Sequence, residues 1–347
     1  MDFELDNYFT HYENLEVHEL MLRDRPRQQA YKKAIELNAN FFKDKIVLDV
    51  GCGTGILSAF CAKAGAKLVY AVEASNLAEI ALKVMEDNGL TSVVKVFHSK
   101  IEDFCLPTSI AKVDIIVSEW MGFYLLHEGM LDSVLFARDN FLKPDGLMFP
   151  TECAIYVAPC SVPCRFDDWN NVDGVCLKSF SSQLRKQNSN KPEILQISPE
   201  QLLHRGAVAH WMNLMDVNRT DLDEIAFEEV LVAEKSGKHQ GFCIWFECRF
   251  PSENYEDAII LSTAPNCSIT HWKQCVVVLP ENACLEIDNN APISFKMSMS
   301  RRSDDIRKYD LEFELLDPYA IEHPVPCECY MTKCILLKTH LQNLDTH

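Results

Sequence analysis

The sequence predicts an α/β fold, a doubly wound parallel sheet followed by a second domain that is a β sandwich or barrel. Three observations predict it. An apolar strand, Ile46-Val47-Leu48-Asp49-Val50, breaks into Gly51-Cys52-Gly53-Thr54-Gly55 and then into a helical pattern. Strand and helix patterns alternate from there as far as Phe149. From Ile155 onward the periodic runs are short and strand-like, with turn signals such as Ser236-Gly237-Lys238.

Residues 1–44 read as an N-terminal lid and helix. The first 22 carry Tyr8-Phe9-x-x-Tyr12 and His18-Glu19-Leu20-Met21-Leu22, aromatic and apolar groups without a clear period, as in a covering segment. Asp24 suits an N-cap and Pro26 a first helical turn, and Ala30, Ala34, Leu37 and Phe41 mark one face of a helix ending near Phe42. Residues 45–150 form the α/β unit. Its turn needs glycine where φ is positive or a ligand approaches the backbone. A helix over 56–64 stops at Gly65, and a strand over 68–72 ends in Glu73, at the place where an adenosine ribose offers its hydroxyls. A helix over 77–87, strands over 93–97 and 113–117, a helix over 131–141 and a last strand after Pro144-Asp145-Gly146 complete the unit, with Pro150 as the boundary. In residues 151–347, strands are expected over 227–233, 242–250, 258–262, 275–279, 293–299 and 309–315. Residues 166–201 are polar, and 179–190 look almost loop-like.

At 347 residues and 48% hydrophobic, the chain has material for two domains. No run approaches the ~18 apolar residues of a membrane span, and the start, Met1-Asp2-Phe3-Glu4, is acidic where a signal peptide is basic, so the chain reads as cytoplasmic or nuclear with no membrane partner. Its 15 cysteines are scattered through apolar patterns, which suits reduced core thiols. Cys327-x-Cys329 with Cys334 shows no fourth ligand, so no metal is expected. A net charge of −18 disfavours direct nucleic acid binding and favours a cationic partner.

The glycine spacing separates two ligand classes. A dinucleotide fingerprint reads G-x-G-x-x-G, which would make an oxidoreductase, whereas this chain has G-x-G-x-G. With Asp49 before it, the turn resembles the first motif of the S-adenosylmethionine-dependent methyltransferases. After the fourth strand stands Ser118-Glu119-Trp120-Met121-Gly122-Phe123-Tyr124-Leu125-Leu126-His127-Glu128, at the carboxyl end of the sheet where such folds bind ligands. Two carboxylates can act as acid and base, ligate a metal or clamp a cation. Beside a methyl donor the clamp is the most economical reading, because a guanidinium is planar, permanently charged and forked.

The loop resembles the double-E loop of the protein arginine methyltransferases, and the likeness extends over most of the chain. The N-terminal aromatics with His18-Glu19-x-Met21-Leu22 match the family's cofactor lid, residues 47–57 its glycine motif, Ile101-Glu102 its adenine-binding position and Thr270-His271-Trp272 its THW loop. The resemblance implies a Rossmann-like methyltransferase domain followed by a β-barrel. It implies S-adenosylmethionine as cofactor, with S-adenosylhomocysteine as product, and methylation of basic, Gly/Arg-rich or histone-like proteins to mono- and asymmetric dimethylarginine. Glu119 and Glu128 would clamp the substrate guanidinium. Arg27 would pair with the methionine carboxylate and Glu73 with the ribose, and Glu102, next to Ile101, would meet the adenine amine. Asp49, Gly51 and Gly53 would form the cradle, with His18, Phe9 and Tyr12 closing over it. Met21 and Met130 would flank the substrate arginine, Met130 also bordering the cofactor, and Trp272 would join the substrate side. His271 would pair with Asp24, either to relay a proton or as a structural hinge. A dimerisation arm near 166–190, centred on 169–178, implies a homodimer. The chain departs from the family at Leu20, where an acidic residue is usual, in a shorter arm, and in its tail beyond Leu316. The alternative is a catalytically weak paralogue that binds arginine-rich partners; a small-molecule methyltransferase would need neither the barrel nor the THW loop.

Overall fold

The structure is a computed structural model that describes residues 14–188 and 191–344. Phe9 and Tyr12 therefore lie outside the described residues.

The chain enters through α1 (Leu15–Arg23), where the Asn14 side chain accepts from the Glu16 amide at 2.9 Å. This helix was not visible as a period because it buries only His18. Asp24 ends it and caps α2 (Arg25–Leu37), whose Ala30, Tyr31, Ala34 and Ile35 face the core. The helix expected to continue to Phe42 breaks at Asn38, whose side chain donates to Ala34 O at 2.8 Å and to Pro251 O at 3.0 Å; a short α3 (Ala39–Phe42) follows.

Strand β1 (Ile46–Val50) is the middle of a five-stranded sheet, all parallel, in the order β3-β2-β1-β4-β5. Along the chain, α4 (Ile56–Lys63), β2 (Leu68–Glu73), α5 (Leu77–Asp87), β3 (Val94–His98), β4 (Val113–Val117), α6 (Leu131–Phe141) and β5 (Leu142–Phe149) follow. The central strands are buried on both faces, so they are continuous apolar runs rather than alternating ones. Two expectations fail. The crossing from β3 to β4 holds no helix, only turns. The turn read at Pro144-Asp145-Gly146 lies inside β5, where the register against β4 shifts between Val113 and Ile115, so an irregularity in the ladder absorbs it.

The second domain begins with β6 (Glu152–Cys160) and α7 (Pro163–Phe166), then α8 (Lys178–Asn188), β7 (Glu193–Leu195), β8 (Ala207–Asn213), β9 (Glu224–Val232), β10 (Gly237–His239), β11 (Gly241–Arg249), β12 (Ile260–Ser262), β13 (Gln274–Val278), β14 (Leu285–Ile287), β15 (Pro292–Arg301) and β16 (Tyr309–Leu315). A sheet ordered β7-β13-β11-β6-β8, with β12 on β11, packs against β16-β15-β9 to make the β-barrel; β10 and β14 form a separate ribbon. Phe242 joins the two main sheets, stacking on Phe313 at 4.3 Å and meeting Phe295 at 4.6 Å. The segment 179–190, expected as loop, is largely the helix α8. Its polarity misled because its buried positions are Ser181 and Arg185, and the Arg185 guanidinium donates to Arg165 O and lies 4.4 Å over the Phe166 ring. A last helix, α9 (Thr332–Leu344), closes the described chain.

Candidate active site

A cavity of about 310 Å³ opens at the carboxyl ends of β1, β2 and β4, roofed by α1 and flanked by the barrel. Gly51, Gly53 and Gly55 all have positive φ (71°, 53° and 81°). The turn they make brings the backbone to the cavity wall, and a Cβ on Gly51 would meet Met130 Cε at 2.3 Å. Beneath the turn, Glu73 is buried and oriented from three sides. One carboxylate oxygen accepts from the Gly53 amide at 2.8 Å; the other accepts from the Ser75 amide at 2.9 Å and Ser75 Oγ at 2.7 Å. His18 of α1 faces Gly53, with Cε1 3.7 Å from where a Cβ would stand.

Asp49 does not line the cavity. Its carboxylate lies behind the turn, fully buried, and accepts from Ser58 Oγ at 2.6 Å, while its second oxygen has no hydrogen-bond partner among the described residues. Burial pushes its pKa up to about 7, against the pull of the Ser58 bond. It acts on the turn from below, tying β1 to α4, and not as a contact from the wall.

Glu119 and Arg27, assigned to different ends of the site by sequence, are joined in the structure. Arg27 Nε and Nη2 both donate to Glu119 Oε2, at 2.8 and 2.5 Å, and Arg27 Nη1 donates to Met21 O at 3.2 Å. Glu119 Oε1 accepts from the Met121 amide at 3.2 Å. Burial opposes the Arg27 charge, but the Glu119 carboxylate outweighs it and holds the guanidinium pKa above its ordinary value.

Glu128 also lines the cavity, on a loop of unusual backbone. Tyr124, Leu125 and Glu128 have φ of 43°, 73° and 79°, in the left-handed region that non-glycine residues avoid. Gly122 and Leu125 exchange backbone hydrogen bonds at 3.0 and 3.1 Å, and a Cβ on Gly122 would stand 2.1 Å from His127 O. The barrel holds the far end of this loop. The Glu128 amide donates to Arg307 O at 2.7 Å, and Arg307 Nη1 donates to Glu128 O at 2.6 Å. Trp272 Nε1 donates to Met121 O at 3.0 Å from the same side.

His271 meets Asp24 twice, through Nδ1 at 2.7 Å and the backbone amide at 2.8 Å. Burial alone would raise the Asp24 pKa; the bonds from His271 and from the Arg27 amide outweigh it and hold the carboxyl below its ordinary range. Met21, Ile101, Glu102 and Met130 line the cavity as well, with Ser133 Oγ donating to Glu102 at 2.6 Å. Arg307, Ser133 and the capping role of Asp24 toward α2 complete the machinery. Sequence reasoning missed Arg307, one of several charged residues around the turn between β15 and β16, because nothing local ties it to a loop 179 residues away.

Comparison with known proteins accounts for both halves. Residues 47–146 match the family model described as "Methyltransferase domain", and 151–317 match "Arginine methyltransferase oligomerization subdomain". Protein arginine N-methyltransferase 6 of Danio rerio is 40% identical over 281 residues, covering 79% of each chain. Protein arginine N-methyltransferase 1 of Saccharomyces cerevisiae is 37% identical over 285 residues, covering 80% of this chain and 78% of that one. Among solved structures, the enzyme–prozyme heterotetrameric complex of Trypanosoma brucei PRMT1 with AdoHcy matches at a TM-score of 0.77 and 33% identity, over 90% of this chain and 97% of that one. The Arabidopsis thaliana protein arginine methyltransferase 10 matches at a TM-score of 0.78 and 29% identity, over 91% and 97%. With a glycine turn over a buried Glu73 and two loop glutamates facing one cavity, the chain belongs to the protein arginine N-methyltransferase family.

Proposed function

We propose that the chain transfers methyl groups from S-adenosylmethionine to the guanidino nitrogens of arginine in basic proteins, giving mono- and asymmetric dimethylarginine. The observation that carries this reading is that Glu73, Glu119 and Glu128 line one cavity with the glycine turn. A purine nucleoside with a charged amino-acid end fits such a wall: a carboxylate below the turn for ribose hydroxyls, a backbone without side chains at Gly51 and Gly53, and Arg27 for a carboxylate. When bound, S-adenosylmethionine supplies an electrophilic methyl group on a sulfonium.

The chain's own residues supply position and charge. Glu128 and Glu119 hold the substrate guanidinium by paired hydrogen bonds and draw its positive charge toward themselves, leaving the distal nitrogen richer in electron density. Arg27 fixes the rotamer of Glu119 through two donors on one carboxylate oxygen. Helix α1 and Trp272 wall the cavity on two sides. Met21 and Met130 shape the space beside the nitrogen and favour the asymmetric product. Asp24 serves as a hinge, since it caps α2 while gripping His271.

The arm carries exposed Val172, Val175 and Phe180, which suit docking on another copy's cofactor domain, so a homodimer is part of the same proposal. The cysteines of the described structure are all free thiols, in keeping with a cytoplasmic or nuclear setting. Incubation with labelled S-adenosylmethionine and an arginine-rich peptide, read by mass spectrometry, tests the assignment. Dimethylarginine with an asymmetric fragmentation pattern is expected. Peptide binding without any methyl transfer would instead make the chain a binding module.

A further inference from the structure

The tail beyond Leu316 holds a cluster that the methyl-transfer site does not use. Three buried cysteines, Cys327, Cys329 and Cys334, converge on His323, their four ligand atoms all within 4.8 Å of one another. The sulfurs lie 3.5, 3.4 and 3.3 Å from His323 Nδ1. Sequence reasoning expected no metal because the three cysteines lacked a fourth ligand; the fold supplies it from a loop preceding them by four residues.

We propose that these four side chains bind a structural zinc ion. A tetrahedral zinc with Zn–S of about 2.3 Å and Zn–N of about 2.0 Å separates nitrogen from sulfur by about 3.5 Å, which matches the 3.3 to 3.5 Å found, and sulfur from sulfur by about 3.8 Å, inside the 4.8 Å that bounds the cluster. The imidazole is already in the ligating tautomer. Its Nε2 sits 2.8 Å from the Pro318 carbonyl, which can only accept, so Nε2 carries the proton and Nδ1 presents its lone pair to the three sulfurs. One lone pair can accept from one thiol, whereas three converge on it; a cation at the centre accounts for all three. On binding, the three thiols release three protons to solvent and the site carries a net charge of −1. Lys333 Nζ shares the Pro318 carbonyl with the imidazole, at 3.2 Å, and places a positive charge in the surrounding shell. Four protein ligands leave no open position, so the ion is structural and not catalytic.

The position of the cluster defines what the ion would do. Val232, at the end of β9, packs against the cysteines, and the Tyr330 amide donates to Asn290 O at 3.1 Å. Cys334 lies in the first turn of α9. The ion would therefore fasten α9 and the tail to the barrel, where few apolar contacts hold them.

Elemental analysis of the full chain purified from zinc-supplemented cells tests this. About one zinc per chain is expected, retained in the exposed Cys267→Ser and lost from His323→Ala and Cys329→Ser. Should those two variants fail to fold, wild-type chain stripped with a chelator under reducing conditions is titrated with cobalt(II). Saturation at about one equivalent, with the visible bands of a tetrahedral site and thiolate-to-cobalt charge transfer, is the result expected. Wild-type chain with neither zinc nor cobalt bands, a zinc content that ignores both substitutions, or a disulfide among the three cysteines in the purified protein would overturn the assignment.

Discussion

Gly122→Ala probes the loop that carries both glutamates without touching either. A Cβ at this position would lie 2.1 Å from His127 O and 2.7 Å from its carbonyl carbon, when ordinary contact begins at 3.4 Å. The two strands of the loop must therefore part by about 1 Å, against backbone bonds of 3.0 and 3.1 Å between Gly122 and Leu125. Displacement of a reacting group by about 1 Å costs on the order of a hundredfold in rate, or about 2.7 kcal/mol of barrier. Turnover on an arginine peptide should fall by about that factor. Affinity for S-adenosylmethionine by calorimetry should stay within about threefold, because Gly51 and Gly53 sit in the turn after β1 and Glu73 at the end of β2, apart from this loop. Gly89→Ala is the control: its φ of 65° disfavours alanine, a backbone strain that Gly122 does not carry, yet no described atom lies within 4 Å of the added carbon. It should cost about 1 kcal/mol of stability with turnover unchanged. Wild-type turnover by Gly122→Ala would refute the claim that this loop geometry positions the glutamates.

Glu128→Gln keeps the size of the side chain but loses its charge, and should reduce turnover about a thousandfold with cofactor affinity intact; Glu128→Asp should fail too, whereas a simple proton acceptor would tolerate it. Near-wild-type turnover by Glu128→Gln would return that residue to a passive wall. The Asp24 carboxyl has a folded pKa below its unfolded value of about 3.9, so its stabilisation is present above that pH and is lost as pH falls through the folded pKa. The stability gap between wild type and Asp24→Asn, from urea midpoints, should accordingly be widest near neutrality and shrink below about pH 4; a constant gap would remove the ionic role. Val175→Glu, on the exposed arm, should convert a dimer to a monomer in sedimentation at micromolar concentration, and a wild-type monomer with full activity would dismiss the arm as an interface.

The α/β half was legible because its determinants are local. Buried parallel strands are continuous apolar runs, the glycines mark a positive-φ turn that other residues seldom adopt, and Glu73 ends its strand while Glu119 stands two residues past one. What escaped was whatever depended on distant partners. Helix α1 buries one side chain, so it leaves no stripe to read. Helix α8 is polar apart from Phe180 and Leu184 and rests on Arg185 reaching back to Arg165 and Phe166. The ion pair between Arg27 and Glu119 spans 92 positions, and both residues were recognised while their meeting was not. His323 was passed over because its relation to the cysteines is set by the path of the tail and by no recognisable spacing.

The grip of Arg307 on Glu128 bears on how far the catalytic unit can be divided. A fragment ending at Phe149 would keep the parallel sheet and the cradle around Glu73, but it would strand the Glu128 amide and carbonyl and the Met121 carbonyl, whose partners all come from the barrel. The loop is thus a shared possession of two domains and not a portable cassette. Grafting it onto another sheet would transplant the carboxylates without the two anchors that aim them. Conversely, substitutions accumulating in the turn between β15 and β16, far from either glutamate in sequence, can retune the angle of Glu128, giving a lineage a route to alter its choice of arginine while both acidic residues stay fixed.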